Sequence, residues 1–564
     1  MNARHAITPA LVTEKAVKRL PRWALLLFCA AYVLPGLLGR DPWKNADIAA
    51  FGQMWSLSLG QASWWAPHVG GVPPTGGGIL PYWLGGGFIS MLHPWVDPAL
   101  AARLPFAGLL VSVLMLTWYA TYHLARTEAA QPLPLAFGGE APVPDYARAL
   151  ADGAVLALMA TLGLLQMGHE TTPEMLQLTG SAMFTYGLAA APYRLIKARV
   201  ATLLSLLVLA GSGSPAIALL LTAVGVAVCL RSDEQAMRQH LPWVVLAGAL
   251  AAAMASSLTW FGLAGWHWRV HGVAQVGALV RLLLWFTWPT LPLAVLTVWS
   301  WRRQALRRHI AVPLLSALIG LGACVAMGGQ DRALLHALPP LAVLAAFSLP
   351  AIKRGLSAAI DWFSVFFFTG TALLIWVVYG AMHLGWPHST ANNVAKLVPG
   401  YVKAFSWPLL IMALAGTLAW LALVRWRTAR HQSALWKSMV LPAGGVALGW
   451  LLLMTLWLPI MDQSRSYRLL MERIKPHIAQ GECISAPGAS VGLLTALEYF
   501  GHYRVDGRLD TKASPKVDIA QCPVLMIALS GRQKPPEVKG WRLVARERQR
   551  TQNSESVAIY RRQP

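Results

Sequence analysis

The sequence predicts an α-helical polytopic membrane protein with a small C-terminal α/β domain outside the bilayer. Three observations predict it. Hydrophobic residues make up 56% of the 564, with 26 Trp among them. Apolar stretches of about 20 residues, enough for one transmembrane helix, recur along the chain. The 47 Lys and Arg residues leave a net charge of +23, and most of those before residue 460 sit in the N-terminal segment and in alternate short loops between those stretches. That alternation is the positive-inside pattern and displaces nucleic-acid binding as the meaning of the charge.

The first span runs over residues 22–38. Lys15, Lys18, Arg19 and Arg22 precede or begin it, so the N-terminus is expected in the cytoplasm. No small-residue cleavage site follows, which predicts an uncleaved signal-anchor. Residues 39–99 then form a first periplasmic loop. Within it Ile48, Phe51, Trp55 and Leu59 recur at helical spacing, predicting an amphipathic helix in the interface. Trp64, Trp65, Trp83 and Trp95 suit an interfacial aromatic belt. Residues 79–92, interrupted by Gly85-Gly86-Gly87, are too short to cross and suggest an interfacial or re-entrant piece.

A crossing over 100–124 leads into a Pro-rich cytoplasmic loop, 125–148, expected to hold little structure of its own. Further spans near 149–167, 172–190, 196–212, 213–230, 241–261, 279–300, 310–328, 333–350, 358–382, 404–425 and 437–459 bring the total to about thirteen. The chain thus divides into a membrane domain, 1–459, and a polar domain, 460–564, whose exit from an odd number of spans is periplasmic. Strand-like runs at Pro523–Leu529 and Ser556–Tyr560 follow a helical pattern at Ser466–Ile478. Of five cysteines, Cys29, Cys229 and Cys324 lie in apolar runs. Cys483 and Cys522 share the polar segment and could pair in an oxidising compartment.

Ionisable groups at a membrane edge are costly and mark candidate sites. Asp41, Lys44 and Asp47 cluster directly after the first span. Carboxylates there can act as a base or hold a metal, and a cation can hold a phosphate. Asp47 could equally cap the following helix. His169 and Glu170, with Glu174, occupy a short external turn at the same expected face and could share one site with Asp47. The alternative is a solvated turn with Thr171 or Thr172 as a cap. Gly328-Gly-Gln-Asp-Arg332, followed by His336, could bind phosphate through Arg332 or simply form a tight turn. Arg269 with His267 and His271, and Lys396 with Lys403, could meet anionic headgroups or serve as edge anchors. No Walker A, Gly-x-Ser-x-Gly or His-Glu-x-x-His sequence is present, so ATP-driven transport, serine hydrolysis and zincin chemistry have no support.

One stretch resembles a family. Arg40-Asp-Pro-Trp-(x)3-Asp47, Trp65-x-Pro67, Gly71-Val-Pro73, Leu80-x-Tyr82-Trp-Leu84 and Ala102-Arg-Leu-Pro105 follow the order of the first external loop in GT-C membrane glycosyltransferases. The branch it is most similar to is the lipid A aminoarabinose transferases, relatives of the protein O-mannosyltransferases. The resemblance implies transfer of a sugar from a polyprenyl-phosphate donor to lipid A or another envelope acceptor at the periplasmic face of a bacterial inner membrane. It implies catalytic roles for Asp47 and Glu170. Together with the residue readings above, it leaves Asp41, Lys44, Tyr82, His169, Arg269 and Arg332 as candidates for substrate binding, with a divalent metal as an optional cofactor. Where the family has Glu-Lys-Pro-Pro before the Leu-x-Tyr-Trp run, this chain reads Thr75-Gly-Gly-Gly78. Two other classes stay open: a non-catalytic polyprenyl-lipid-binding or envelope-assembly protein on the same scaffold, and a transporter, which would need paired polar groups and broken helices at mid-membrane.

Overall fold

The computed structural model describes residues 8–563 apart from 75, 77, 135–137, 261–274, 398–404, 430–433, 509–521, 531–532 and 549–554. Among the described residues, seven helical segments are long and apolar enough to cross a membrane: Pro98–Ala125, Gln235–Trp260, Arg308–Ala326, Asp331–Ala351, Arg354–Leu384, Trp407–Thr428 and Lys437–Leu456. The pair Val276–Phe286 and Thr290–Ser300, bent by 93°, passes the same test together. The other expected crossings fall on shorter helices: Arg22–Val33, Val143–Ala160 with Leu162–Met167, Pro173–Ala190, Leu195–Gly211 and Pro215–Arg231. The chain is a multi-pass helical membrane protein.

Contacts divide the chain into two compact units. The first comprises Met1–Pro35, Phe106–Leu373 and Leu410–Met454. Its helices approach closely where side chains are small. A Cβ on Gly180 would meet Leu209, and one on Gly187 would meet Thr202 Oγ1 at 2.4 Å. Hydroxyl and indole groups are satisfied across helices: Thr297 Oγ1 donates to Leu344 O at 2.6 Å and Trp301 Nε1 to Phe347 O at 3.1 Å. The loop after Ala125 is more ordered than its composition suggests. Leu133 N–H donates to Ala10 O and Ala141 N–H to Val12 O, so the N-terminal segment supplies its backbone partners.

The second unit comprises Gly36–Pro105, Leu374–Leu409 and Thr455–Pro564. It contains a five-stranded sheet of β1 (Cys483–Ser485), β2 (Arg504–Asp506), β3 (Val524–Ser530), β4 (Trp541–Arg548) and β5 (Glu555–Arg562), in the order β2-β1-β3-β5-β4. β1 runs parallel to β2 and β3, while β5 is antiparallel to β3 and β4. The strand-like runs at 523–529 and 556–560 become β3 and β5. Cys483 and Cys522 form a disulfide.

The helix expected to show one apolar face to the interface is instead buried around most of its surface. Ala46–Ser58 buries Ile48, Phe51, Met54 and Leu57, and also Asp47, Gln53 and Ser56 around the rest of its surface. Ile48 belongs to one core with Leu493, Leu497, Val524, Met526 and Ile559 of the C-terminal segment. Glycines allow this. Thr495 of the helix Val491–Tyr499 fills the space a Cβ on Gly52 would need, and Met54 fills that of Gly85. The Gly85-Gly86 interruption in Leu80–Leu92 is therefore a seat for Met54 and Leu57.

Candidate functional site

Asp47 stands in the first turn of Ala46–Ser58, where a carboxylate complements the helix dipole. The N-cap is Asn45, at φ 70°, and its side chain makes no capping bond. Asp47 reaches back instead. Its Oδ2 accepts Trp43 N–H at 3.1 Å and faces Arg40 Nη2 at 3.6 Å. Asp47 is 1% exposed and the Arg40 side chain fully buried, so this is an ion pair sealed from water. Trp43 organises the surroundings. The guanidiniums of Arg40 and Arg465 lie 4.7 and 4.9 Å from its ring centroid. Its indole Nε1 donates to Asp462 Oδ1 at 2.7 Å. Burial, with the neighbouring charge of Asp41 adding to it, pushes the Asp462 carboxyl up to about 6 against the pull of that hydrogen bond.

The flanking residues are also engaged. Asp41 accepts two bonds from Arg468, Nε to Oδ2 at 2.9 Å and Nη2 to Oδ1 at 2.5 Å, a fork-to-fork geometry. Lys44 Nζ lies 5.1 Å from the centroid of the Tyr467 ring. Tyr82 is buried in Leu80–Leu92, the helix that seats Met54.

Sequence reasoning assigned no role to Arg103, Asp462, Arg465 or Arg468. Arg103 is buried to 4% exposure and within electrostatic reach of Arg40, Asp47, Asp462 and Asp97. Among the described residues it has no hydrogen-bond or ion-pair partner. Asp462 meets the criterion that singled out Asp47, a carboxylate directly after a span. More than 400 residues of sequence separate them, so nothing in the sequence paired them.

Glu170 builds a second cluster, in the first unit. Arg332 Nη2 donates to its Oε2 at 2.7 Å, and Gln166 Nε2 to its Oε1 at 2.9 Å. Arg332 also pairs with Glu174 at 3.5 Å and donates to Thr172 Oγ1 at 3.4 Å. Thr172 is the N-cap of Pro173–Ala190, but its side chain makes no capping bond. His169 acts as a clamp: Nδ1 lies 2.6 Å from Leu165 O and Nε2 2.9 Å from Tyr32 O, with the Trp450 ring at 4.6 Å. Carbonyl oxygens only accept, so the ring makes both bonds only when both nitrogens carry protons. His336 is buried and bonded to Ser181 Oγ at 2.9 Å, while Gly328 and Gly329 turn the chain at φ 71° and 83°. The positions expected to form one site therefore divide between the units: Asp41, Lys44, Asp47 and Tyr82 in one, His169, Glu170 and Arg332 in the other. Arg269, His267, His271 and Lys403 lie outside the described residues, and Lys396 is exposed in His388–Leu397.

Solved structures with this topology are known. ArnT from Cupriavidus metallidurans bound to undecaprenyl phosphate matches with a TM-score of 0.59 at 12% identity, over 96% of this chain and 98% of that one. ArnT from the same organism in the apo state matches with a TM-score of 0.60 at 13% identity, over 95% and 98%. This chain has the ArnT fold. The likeness to these structures is one of fold and covers nearly the whole chain. No family model and no curated protein matches the sequence.

The donor sets suit anions better than a metal. Among the described residues no group of three or more His, Cys, Asp and Glu could hold a metal ion. Around Asp47 the close charged groups include the guanidiniums of Arg40 and Arg103, which oppose a divalent cation.

Proposed function

We propose that the chain is a glycosyltransferase of a bacterial inner membrane, taking a sugar from a polyprenyl-phosphate donor to lipid A or another envelope acceptor at the periplasmic face. The observation that carries this is the ArnT fold over 96% of the chain; the neighbour bound to undecaprenyl phosphate supports the same carrier class here. The N-terminus would be cytoplasmic and residues 460–564 periplasmic. The Cys483–Cys522 disulfide supports that side, because disulfides persist in oxidising compartments.

The cations beside Asp47 would supply the charge a departing phosphate needs. Arg103, together with Lys44, would meet the carrier phosphate and offset the charge that develops on it. Arg332 is already engaged by Glu170 and Glu174, so it would hold the Glu170 turn in place. Asp47 faces Arg40 in a buried ion pair. Asp47 would therefore orient the acceptor and fix Arg40.

The test is transfer of label from a radiolabelled polyprenyl-phosphate sugar into lipid in reconstituted membranes. Wild type should transfer and Asp47→Asn should not, with membrane insertion unchanged. Retained transfer by Asp47→Asn removes Asp47 from the mechanism. Saturable binding of the carrier without transfer by wild type would favour the non-catalytic alternative.

A further inference from the structure

The first unit contains a groove of about 480 Å³ between helices Arg22–Val33, Pro98–Ala125 and Val143–Ala160. All three helices change character in the same direction along it. At one end stand Arg19, Arg22, Arg148, Asp152 and Trp118. Towards the other end the lining is Leu25, Leu26, Cys29, Val111, Leu114 and Met115. From Arg22 to Cys29 the groove extends about 10 Å along the helix, of which the apolar part from Leu25 takes about 6 Å. Leu26, Val111 and Met115 remain exposed.

The charged end is not neutralised from within. Asp145 is shared by Arg19 at 2.8 Å and Arg148 at 3.7 Å. Asp152 accepts Trp118 Nε1 at 2.8 Å. Arg22 is exposed and makes no hydrogen bond or ion pair among the described residues. Three guanidiniums thus face two carboxylates, beside an indole and above a channel of hydrocarbon. The arginines lie at the end the positive-inside pattern assigns to the cytoplasm, where anionic lipids attract basic residues and basic pockets between helices bind their headgroups.

We propose that this groove is a binding site for an anionic diacyl phospholipid of the cytoplasmic leaflet. Its phosphate sits on Arg22 and Arg148, and one acyl chain lies along Leu25, Cys29, Val111 and Leu114. The site is independent of glycosyl transfer and of the external face.

Native mass spectrometry of the full-length protein in detergent, titrated with phosphatidylglycerol or phosphatidylcholine of the same acyl chains, tests this. Wild type should bind phosphatidylglycerol preferentially. Arg22→Gln should reduce that binding roughly fivefold, and Arg22→Gln with Arg148→Gln further, at about one such factor per arginine. Leu25→Trp should block the groove to both lipids. Arg22→Gln breaks no hydrogen bond or close ion pair and loses only the longer-range attraction of Arg22 for Asp152, so the test survives if the double variant fails to fold. Equal binding of the two lipids by wild type, or unchanged preference in Arg22→Gln, overturns the proposal. Displacement of bound phosphatidylglycerol by equimolar undecaprenyl phosphate also overturns it, by making the groove a carrier site.

Discussion

Gly52→Ala distinguishes a packed first-loop helix from one lying free in the interface. The added methyl would sit 1.9 Å from Thr495 Oγ1, 2.7 Å from its Cγ2 and 2.8 Å from its Cβ. Thr495 is fully buried and its hydroxyl donates to Val491 O at 2.8 Å. Rotating the side chain cannot move its Cβ, so the helices Ala46–Ser58 and Val491–Tyr499 must separate. Overpacking of this kind costs about 1–3 kcal/mol, and three close atoms put it at the upper end. Alanine returns about 1 kcal/mol of helix propensity. The net expectation is a loss of about 2 kcal/mol, read as a lowered Tm of the full-length protein in detergent. In a Thr495→Gly background, which removes all three atoms, the same substitution should be neutral or stabilising, a coupling of about 3 kcal/mol. On a helix lying free in the interface, alanine stabilises. A raised Tm for Gly52→Ala, or additive effects in the cycle, would refute the packing described.

Arg332→Gln should destabilise the first unit by about 2–4 kcal/mol, because the buried Glu170 carboxylate would lose the guanidinium it pairs with at 2.7 Å. Adding Glu170→Gln should recover part of the loss, with thermal unfolding as the measure. Glu498, in the helix Val491–Tyr499, has its carboxyl pushed up to about 7 by burial, against a hydrogen bond from the Gly70 backbone. The folded protein therefore holds a proton that the unfolded chain releases, and stability should fall as pH rises from about 5 through 7. Glu498→Gln should flatten that slope in Tm measured against pH; an unchanged slope would assign it to other groups. Cys522→Ser should cost about 4 kcal/mol, from the separation of 39 residues that the disulfide closes. Denaturant unfolding checks this, and reduction should have no further effect on the variant.

Period and composition made the membrane helices legible, since burying an apolar stretch of spanning length leaves few alternatives. The strands β3 and β5 were equally readable, as runs of β-branched and apolar residues bounded by polar ones. The fate of Ala46–Ser58 was not. Ile48, Phe51 and Trp55 mark one apolar stripe, but the close approach at Gly52 depends on Thr495, far along the chain, and a glycine in a helix does not announce its partner. Asp47 stood out as a carboxylate beside a membrane, whereas its partner Arg40 reads as a headgroup anchor. Its pairing depends on the turn through Trp43 and Asn45. Arg103 was visible within Ala102-Arg-Leu-Pro105, yet its isolation among Arg40, Asp47 and Asp462 exists only in three dimensions.

The central claim is that this fold moves a sugar from a polyprenyl phosphate with Asp47 as an essential group. Its most direct measurement is the time course of radiolabel passing from a polyprenyl-phosphate sugar into the lipid fraction of proteoliposomes, for wild type and Asp47→Asn inserted at equal amounts. The account predicts transfer by wild type and none above background by the variant. Equal transfer by the two proteins, or carrier binding by wild type with no transfer to any envelope lipid supplied, would contradict it.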